Sequence, residues 1–459
     1  MAESGPLHLA DGSVIERGAM LRSLPGKRAV FAGRRNGERV LVKVFLDPRR
    51  GALHARREAA GLKAFQRAGV AAPAILYDGS DCNGNAVVVL QWIEHAAPFG
   101  EVLRQADGEG RAALLTRTMQ LLAEHHAAGI CQADLHPDNF LLAGDTLYSI
   151  DGAAVSAGQG VLDEQAALAN LALFCAQFTP DMDADSLRAV AAYRARRGWS
   201  ETYTASLPNL IDAARMRRWQ KLLPKLYRDC SAIQHRVHAG RDAYLVRARG
   251  APLATLTDDP DASRPADRGA LLKDGNTATV WQTQVGDLAV VVKRYNVKNP
   301  LHGLRTLLRQ SRASVSWRNA HLLGHFGIAT PTPLALVLER RRLFGRRAWF
   351  ISEAVDGIGL DAWIAAHADQ PDALAAMTAR VGDLFAALRD LQVSHGDTKA
   401  TNFIVADDRL FLIDLDAMQR HRNARRFARA WRRDVRRFLA NWHGDDRVLA
   451  AMRAAIGSE

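Results

Sequence analysis

One pattern of sequence phrases occurs twice in this chain, about 260 residues apart, and that doubling constrains the fold more than any other feature. Each copy opens on a β-rich stretch with a central lysine, VLVKVF at 40–45 and LAVVVKRY at 288–295, apolar enough to be a strand buried on most sides. A helical stretch follows and ends at a Gly-[Val/Ile]-Ala-x-Pro phrase, Gly69 to Pro73 and Gly327 to Pro331. Another strand comes next, VVVLQWIE at 87–94 and AWFISEAV at 348–355, and then long helices rich in alanine and leucine. Each copy closes with a polar turn and a short apolar hairpin ending in Ile-Asp: ADLHPDNFLL with YSID at 148–151, and GDTKATNFIV with FLID at 411–414. A period this long excludes a solenoid and implies a duplicated domain, with strands followed by helices in each copy, hence an α+β class. The 459 residues suit two domains, expected at 1–240 and 241–459. AYLVRARG (243–250) reads as the first strand of the second copy, and the Asp-, Pro-, Ser- and Ala-rich stretch 253–269 as a loop or linker.

Composition narrows the class further. Hydrophobic residues are 48% and charged residues 24%, which rules out a collagen-like or largely disordered chain. The formal net charge of +12 should attract polyanions such as nucleic acid, phosphorylated glycans or an acidic leaflet. Nothing points to sequence-specific nucleic-acid binding. The four cysteines, Cys82, Cys131, Cys175 and Cys230, form no CxxC pair, which argues against a zinc site or a disulfide framework and for a reduced compartment. The first twenty residues lack a signal-peptide core, and no run approaches the roughly 18 apolar residues of a membrane span, so membrane contact is expected to be peripheral.

The chemistry concentrates in the two polar turns. In the second copy Asp397 is followed by Asn402 five residues on and by Asp414 twelve residues after that; the first copy repeats the spacing with Asp134, Asn139 and Asp151. Such a set can orient an attacking hydroxyl and hold Mg²⁺ between the phosphates of ATP. The strand lysines, Lys43 and Lys293, supply a cation for the α- and β-phosphates. A single D-x-x-x-x-N turn is weak evidence, because Asp and Asn commonly satisfy their own backbone in turns. The repetition of order and spacing carries the argument. Asp134 and Asp397 would accept or orient the acceptor proton, while Asn139, Asp151, Asn402 and Asp414 would hold the metal. His136 and Lys399 sit two residues past these acids. Lys399 could stabilise a transferring phosphate, and His136 reads equally well as a structural turn residue.

At this point the chain resembles the protein-kinase-like superfamily, in which a helix glutamate aims the strand lysine at the phosphates. Counting back fifteen residues from Pro73 lands on Glu58; the same count from Pro331 lands on Ser316, and no Asp or Glu occurs between Tyr295 and Val337. The first copy is therefore the better catalytic candidate, and the second is expected to be competent for ATP at least in its metal-binding residues. The loops 24–33 and 272–282 carry glycines that suit either phosphate contact or an ordinary hairpin turn. Both copies enter a helix soon after the final Asp, leaving no peptide-docking segment, as in small-molecule kinases.

The phrases DGNTATV, VVVKRYN, SHGDTKATNF, LIDLDAM and RRDVRRFLANW resemble the lipopolysaccharide core kinase family, which phosphorylates Kdo or heptose sugars. REAAGLKAF, GVAAP, ADLHPDNFLL and IDGA of the first copy resemble it more loosely. Two tandem kinase-like domains are implied, each with a β-rich N-lobe and a helical C-lobe, using ATP and Mg²⁺. The implied acceptor is a core glycolipid at the cytosolic face of the inner membrane. The departures are Ser316, and Asn170 where the second copy has Asp434. They keep open a different class of function, a non-catalytic or half-catalytic scaffold that binds nucleotide or glycolipid during lipopolysaccharide assembly.

Residues 420–437 carry nine arginines and one acid, Asp434, interleaved with Phe427 and Trp431 and followed by Phe438 and Trp442 at roughly helical spacing. This helix could lie on an anionic membrane or glycolipid, or its aromatic stripe could simply be core with the arginines solvated.

Overall fold

The structure, a computed structural model, describes residues 5–265, 271–296, 311–340 and 347–457. It divides into two compact units, Met1–Arg217 and Arg218–Glu459.

The first unit begins with a six-stranded antiparallel sheet in the order Leu7–His8, Val14–Leu24, Arg28–Arg35, Glu38–Phe45, Ala86–Gln91, Ile75–Ser80. Alternation along VLVKVF explains where Lys43 points. Val40, Val42 and Val44 face an outer cluster with Leu7, Leu9, Ile15 and Phe31, so Leu41, Lys43 and Phe45 face the opposite side. On that side lies the helix Gly51–Arg67, whose Leu62 and Phe65 join Phe45, Val88 and Leu90 in the main core. The core continues into the helices Gly108–Ala127, Glu164–Cys175 and Asp183–Arg197 through Met119, Leu122, Phe174 and Tyr193. Two strands, Phe140–Ala143 and Thr146–Ser149, form the hairpin after the polar turn.

The second unit has a seven-stranded antiparallel sheet ordered Ile233–His238, Arg241–Val246, Pro333–Glu339, Ala348–Glu353, Leu288–Tyr295, Ala278–Val285, Leu271–Asp274. Lys293 lies opposite Val280 and Phe350, as Lys43 lies opposite Val30 and Val88. The unit begins at Arg218, ahead of the boundary expected near 240. Residues ahead of 241 tie into it: Ile233–His238 pairs with Arg241–Val246, and Leu226 and Tyr227 bond the helix Arg312–His325 through Trp317 and Ser314.

Residues 253–265 of the stretch expected to be a linker are structured. Gly250–Asp258 is a helix whose Leu253 and Leu256 pack on the sheet beside Trp281 and Trp349. Asp261 then accepts hydrogen bonds from Trp349 Nε1 (2.9 Å) and Arg347 (3.1 Å). The Asp and Pro residues that suggested a loop instead terminate this helix and supply that half-buried acceptor; residues 266–269 of the expected linker fall outside the described residues. In the helix Ala424–Leu439 the aromatic stripe is core: Phe438 packs on Phe385 and Phe403, and Trp431 on Phe385. All nine arginines of 420–437 are exposed.

Candidate active site

In the first unit the five sequence-predicted residues fall into one connected cluster. The Lys43 ammonium and Glu58 Oε1 form a hydrogen-bonded ion pair with Glu58 wholly buried, and Lys43 Nζ lies 3.4 Å from the carbonyl oxygen of Ile150. Burial pushes the Glu58 carboxyl up; the Lys43 charge opposes this, the Asp151 charge adds to it, and the net direction is upward. The helix reaches Asp151 because two glycines meet: a Cβ on Gly61 would sit 2.1 Å from the Gly152 carbonyl oxygen. No other residue type permits that backbone approach.

The polar turn is held by its own asparagine. Asn139 Nδ2 donates to the Asp134 carbonyl (2.5 Å), and Ile150 N donates to the Asn139 carbonyl (3.0 Å), fixing the turn to the residue before Asp151. Gln132 Nε2 donates to the Asp151 carbonyl (3.0 Å), and Asp151 Oδ1 accepts from Ala153 N (3.1 Å). The Asp134 side chain is exposed. His136 caps the following turn, its Nδ1 accepting from Asp138 N (3.1 Å), which is the structural role.

The donor set suits a hard divalent cation. Asn139 spends its amide N–H on the turn, which turns its side-chain oxygen away from that bond, and Glu58 Oε2 beside Asp151 is buried with no donor among the described residues. Two oxygen ligands from protein, with phosphates and water supplying the rest, is the usual manner of Mg²⁺ binding at nucleotide sites. Among the described residues there is no cluster of three or more His, Cys, Asp and Glu side chains that would hold an ion by itself.

The second unit gathers Lys293, Asn402, Asp397 and Asp414 in the same order but pairs them differently. Lys293 hydrogen-bonds Asp414 Oδ1 and also Asp416 Oδ2 (3.0 Å). Burial opposes the ammonium charge, but Tyr295, Asp416 and Asp414 hold its pKa above the ordinary lysine value. Burial likewise raises the Asp414 carboxyl, and the Lys293 charge and hydrogen bond outweigh it, leaving the pKa low. Ser316, at the position of Glu58, is buried and bonded to the Tyr295 hydroxyl (2.8 Å). Asn319, at the position of Gly61, donates to the carbonyls of Leu415 (3.0 Å) and Met418 (2.8 Å), so a side chain stands where the first unit has backbone contact.

Asn402 Nδ2 donates to the Asp397 carbonyl (2.7 Å), and Ile413 N to the Asn402 carbonyl (3.0 Å). Asp434 accepts from His395 N (2.6 Å) and Gly396 N (3.0 Å), bracing the turn. Its counterpart Asn170 instead donates to the Gln132 carbonyl (2.8 Å) and meets His126 Nε2 (3.1 Å), so it contributes one bond to backbone where Asp434 contributes two, and Gln177 Nε2 adds another to the Leu135 carbonyl (2.7 Å). Arg437 Nε lies 2.7 Å from Asp397 Oδ1, an ion pair without hydrogen-bond alignment, while Lys399 stands 4.0 Å from the other oxygen. A cavity of about 890 Å³ opens between sheet and turn, with apolar walls from Val280, Phe350 and Ile404 and charged groups from Lys273, Lys293 and Asp414.

Sequence reasoning did not single out Gly61, Gly152, Asp416 or Arg437. Asp416 had a visible signal, the second acid of LIDLDAM; the role of Arg437 depends on a tertiary contact with no local signature.

Sheet, helix and polar hairpin define an α+β fold of the protein-kinase-like class. Residues 32–153 and 266–443 match the lipopolysaccharide kinase (Kdo/WaaP) family, together more than half of the chain, and the chain belongs to that family. Among solved structures, one titled "WaaP in complex with acyl carrier protein" is 20% identical, with 45% of this chain and 89% of that chain covered at a TM-score of 0.34. No curated protein matches the chain. Among the described residues no helix is long and apolar enough to cross a membrane.

Proposed function

We propose that this chain transfers the γ-phosphoryl group of ATP to a sugar hydroxyl of the lipopolysaccharide inner core, and that the first cleft performs the transfer. The observation that carries this reading is the buried Lys43–Glu58 pair joined to Asp151. Lys43, kept in place by Glu58, grips the α- and β-phosphates. Asn139 and Asp151 hold Mg²⁺, which neutralises charge on the phosphate oxygens when bound. Asp134, exposed and with no cation on its carboxylate among the described residues, receives the acceptor proton as the sugar oxygen bonds to the γ-phosphorus and the bond to the β-phosphate oxygen breaks, releasing ADP.

On this reading the two units, Met1–Arg217 and Arg218–Glu459, are tandem kinase-like domains, and the second also takes nucleotide, with Lys293, Asn402 and Asp414 around it and Asp397 as its base. Its arginine helix supports an anionic glycolipid acceptor and peripheral contact with the cytosolic face of the inner membrane. Of the nine arginines of 420–437, seven of them on this helix, Arg437 alone lies at ion-pair distance from a carboxylate among the described residues. The Lys293–Asp414 bond and the Arg437–Asp397 pair favour a second role for this unit, a binding scaffold without turnover, because both candidate acids are already neutralised.

Phosphate incorporation from ATP into purified core oligosaccharide, run with Asp134→Ala and Asp397→Ala separately, tests the assignment. Loss with Asp134→Ala and retention with Asp397→Ala is expected. Loss only with Asp397→Ala would move the working site to the second unit, and no incorporation by the unaltered chain would favour the scaffold.

A further inference from the structure

Lys293 needs a carboxylate partner that its helix does not offer. No Asp or Glu lies between Tyr295 and Val337, and Ser316 is committed to Tyr295. Tyr295 itself occupies the surroundings, with Lys293 Nζ 5.0 Å and the Arg312 guanidinium 5.2 Å from its ring centroid. We propose that Asp416 is the positioning residue of the second cleft, replacing the missing helix glutamate as the anchor that aims Lys293 at a nucleoside triphosphate. The proposal rests on the reading that this cleft takes ATP.

Geometry supports the assignment at three points. Asp416 Oδ2 lies 3.0 Å from Lys293 Nζ, and its side chain is 7% exposed, so the pair is shielded from solvent. The same oxygen accepts from Arg312 NH2 at 2.9 Å, and Arg312 opens the helix Arg312–His325. Helix and lysine are therefore still connected, with the polarity inverted: in the first unit the helix gives the acid directly, and here it gives a cation that holds a loop acid against the lysine. Finally, Asp416 sits in a short 3-10 turn, Leu415–Ala417, whose carbonyl at Leu415 is fixed by Asn319 of the same helix. That brace leaves Asp416 a fixed support for Lys293 whatever else Asp414 binds. A shielded, doubly bonded carboxylate of this kind positions a lysine far better than an exposed one, since exposed pairs contribute little.

The test uses the full chain and an acyl-phosphate derivative of ATP, which acylates a lysine held at the phosphates, with the Lys293 and Lys43 peptides quantified separately by mass spectrometry. In the unaltered chain ATP should protect Lys293. Asp416→Asn should raise the ATP concentration needed for protection at least about tenfold, roughly the effect of 1.4 kcal/mol, while protection of Lys43 stays unchanged. Asp416→Glu should restore most of the effect, which a general loss of structure would not allow. Unchanged protection of Lys293 in Asp416→Asn would overturn the proposal while leaving ATP binding intact. Failure of ATP to protect Lys293 in the unaltered chain would overturn the nucleotide reading of this cleft, and the proposal with it.

Discussion

Replacing Gly61 by alanine should both destabilise the first unit and slow phosphoryl transfer, against the ordinary preference of helices. In a helix interior alanine is favoured over glycine by about 1 kcal/mol. Here the added Cβ would lie 2.1 Å from the Gly152 carbonyl oxygen and 2.6 Å from its Cα, both backbone atoms that cannot rotate away. The converse is as tight: a Cβ on Gly152 would lie 2.2 Å from the Glu58 carbonyl oxygen. Ordinary contact requires the helix and the Asp151–Gly152 segment to part by about 1 Å. Overpacking costs about 1–3 kcal/mol, and contacts this short to backbone place Gly61→Ala toward the upper end, so the gain in propensity is reversed and a net loss of up to about 2 kcal/mol is expected. Glu58 sits three residues away on the same helix, and a displacement of about 1 Å at a positioning group can cost about a hundredfold in rate. Urea denaturation and steady-state transfer to core oligosaccharide measure the two effects. A stabilised protein with unchanged transfer would refute the argument that this close approach sets the position of Glu58.

Other consequences are equally direct. Asp434→Asn removes one acceptor of the backbone N–H groups of His395 and Gly396 and turns an amide toward them; a loss of about 2–4 kcal/mol is expected, and an unmoved denaturation midpoint would contradict the bracing role. His125 and His126 are buried in the first unit, their pKa values pushed down by burial to about 3 and about 4. Both stay neutral when folded and take up protons when unfolded below pH 6.5, so their contribution is complete above 6.5 and is lost as pH falls toward 4, by about 1.4 kcal/mol per pH unit for each. Denaturation midpoints between pH 7 and pH 5 should fall accordingly, and a flat profile would contradict it. His126→Gln should make the fall shallower.

Much of the site was legible because it is local or periodic. The position of Lys43 follows from strand alternation, and the turn from Asp134 to Asp151 is a contiguous stretch closed by its own asparagine. The fifteen-residue count to Glu58 worked because strand, helix and Pro73 are linked by short connections, and the structure brings Glu58 against Lys43. What stayed hidden depends on packing. Gly61 reads in sequence as a mild helix defect, and only the approach of Gly152 gives it meaning. Asp416 and Arg437 act on residues 123 and 40 positions away, beyond any local pattern. The stretch 253–269 misled for the opposite reason: a composition typical of loops caps a helix whose Leu253 and Leu256 are buried.

The central claim is best tested on the product itself. Core oligosaccharide incubated with the chain, ATP and Mg²⁺ and then examined by phosphorus–proton correlation NMR should show a new phosphate monoester coupled to one sugar ring proton, accompanied by an equal amount of ADP. An oligosaccharide spectrum that stays unchanged while ATP remains intact would contradict it.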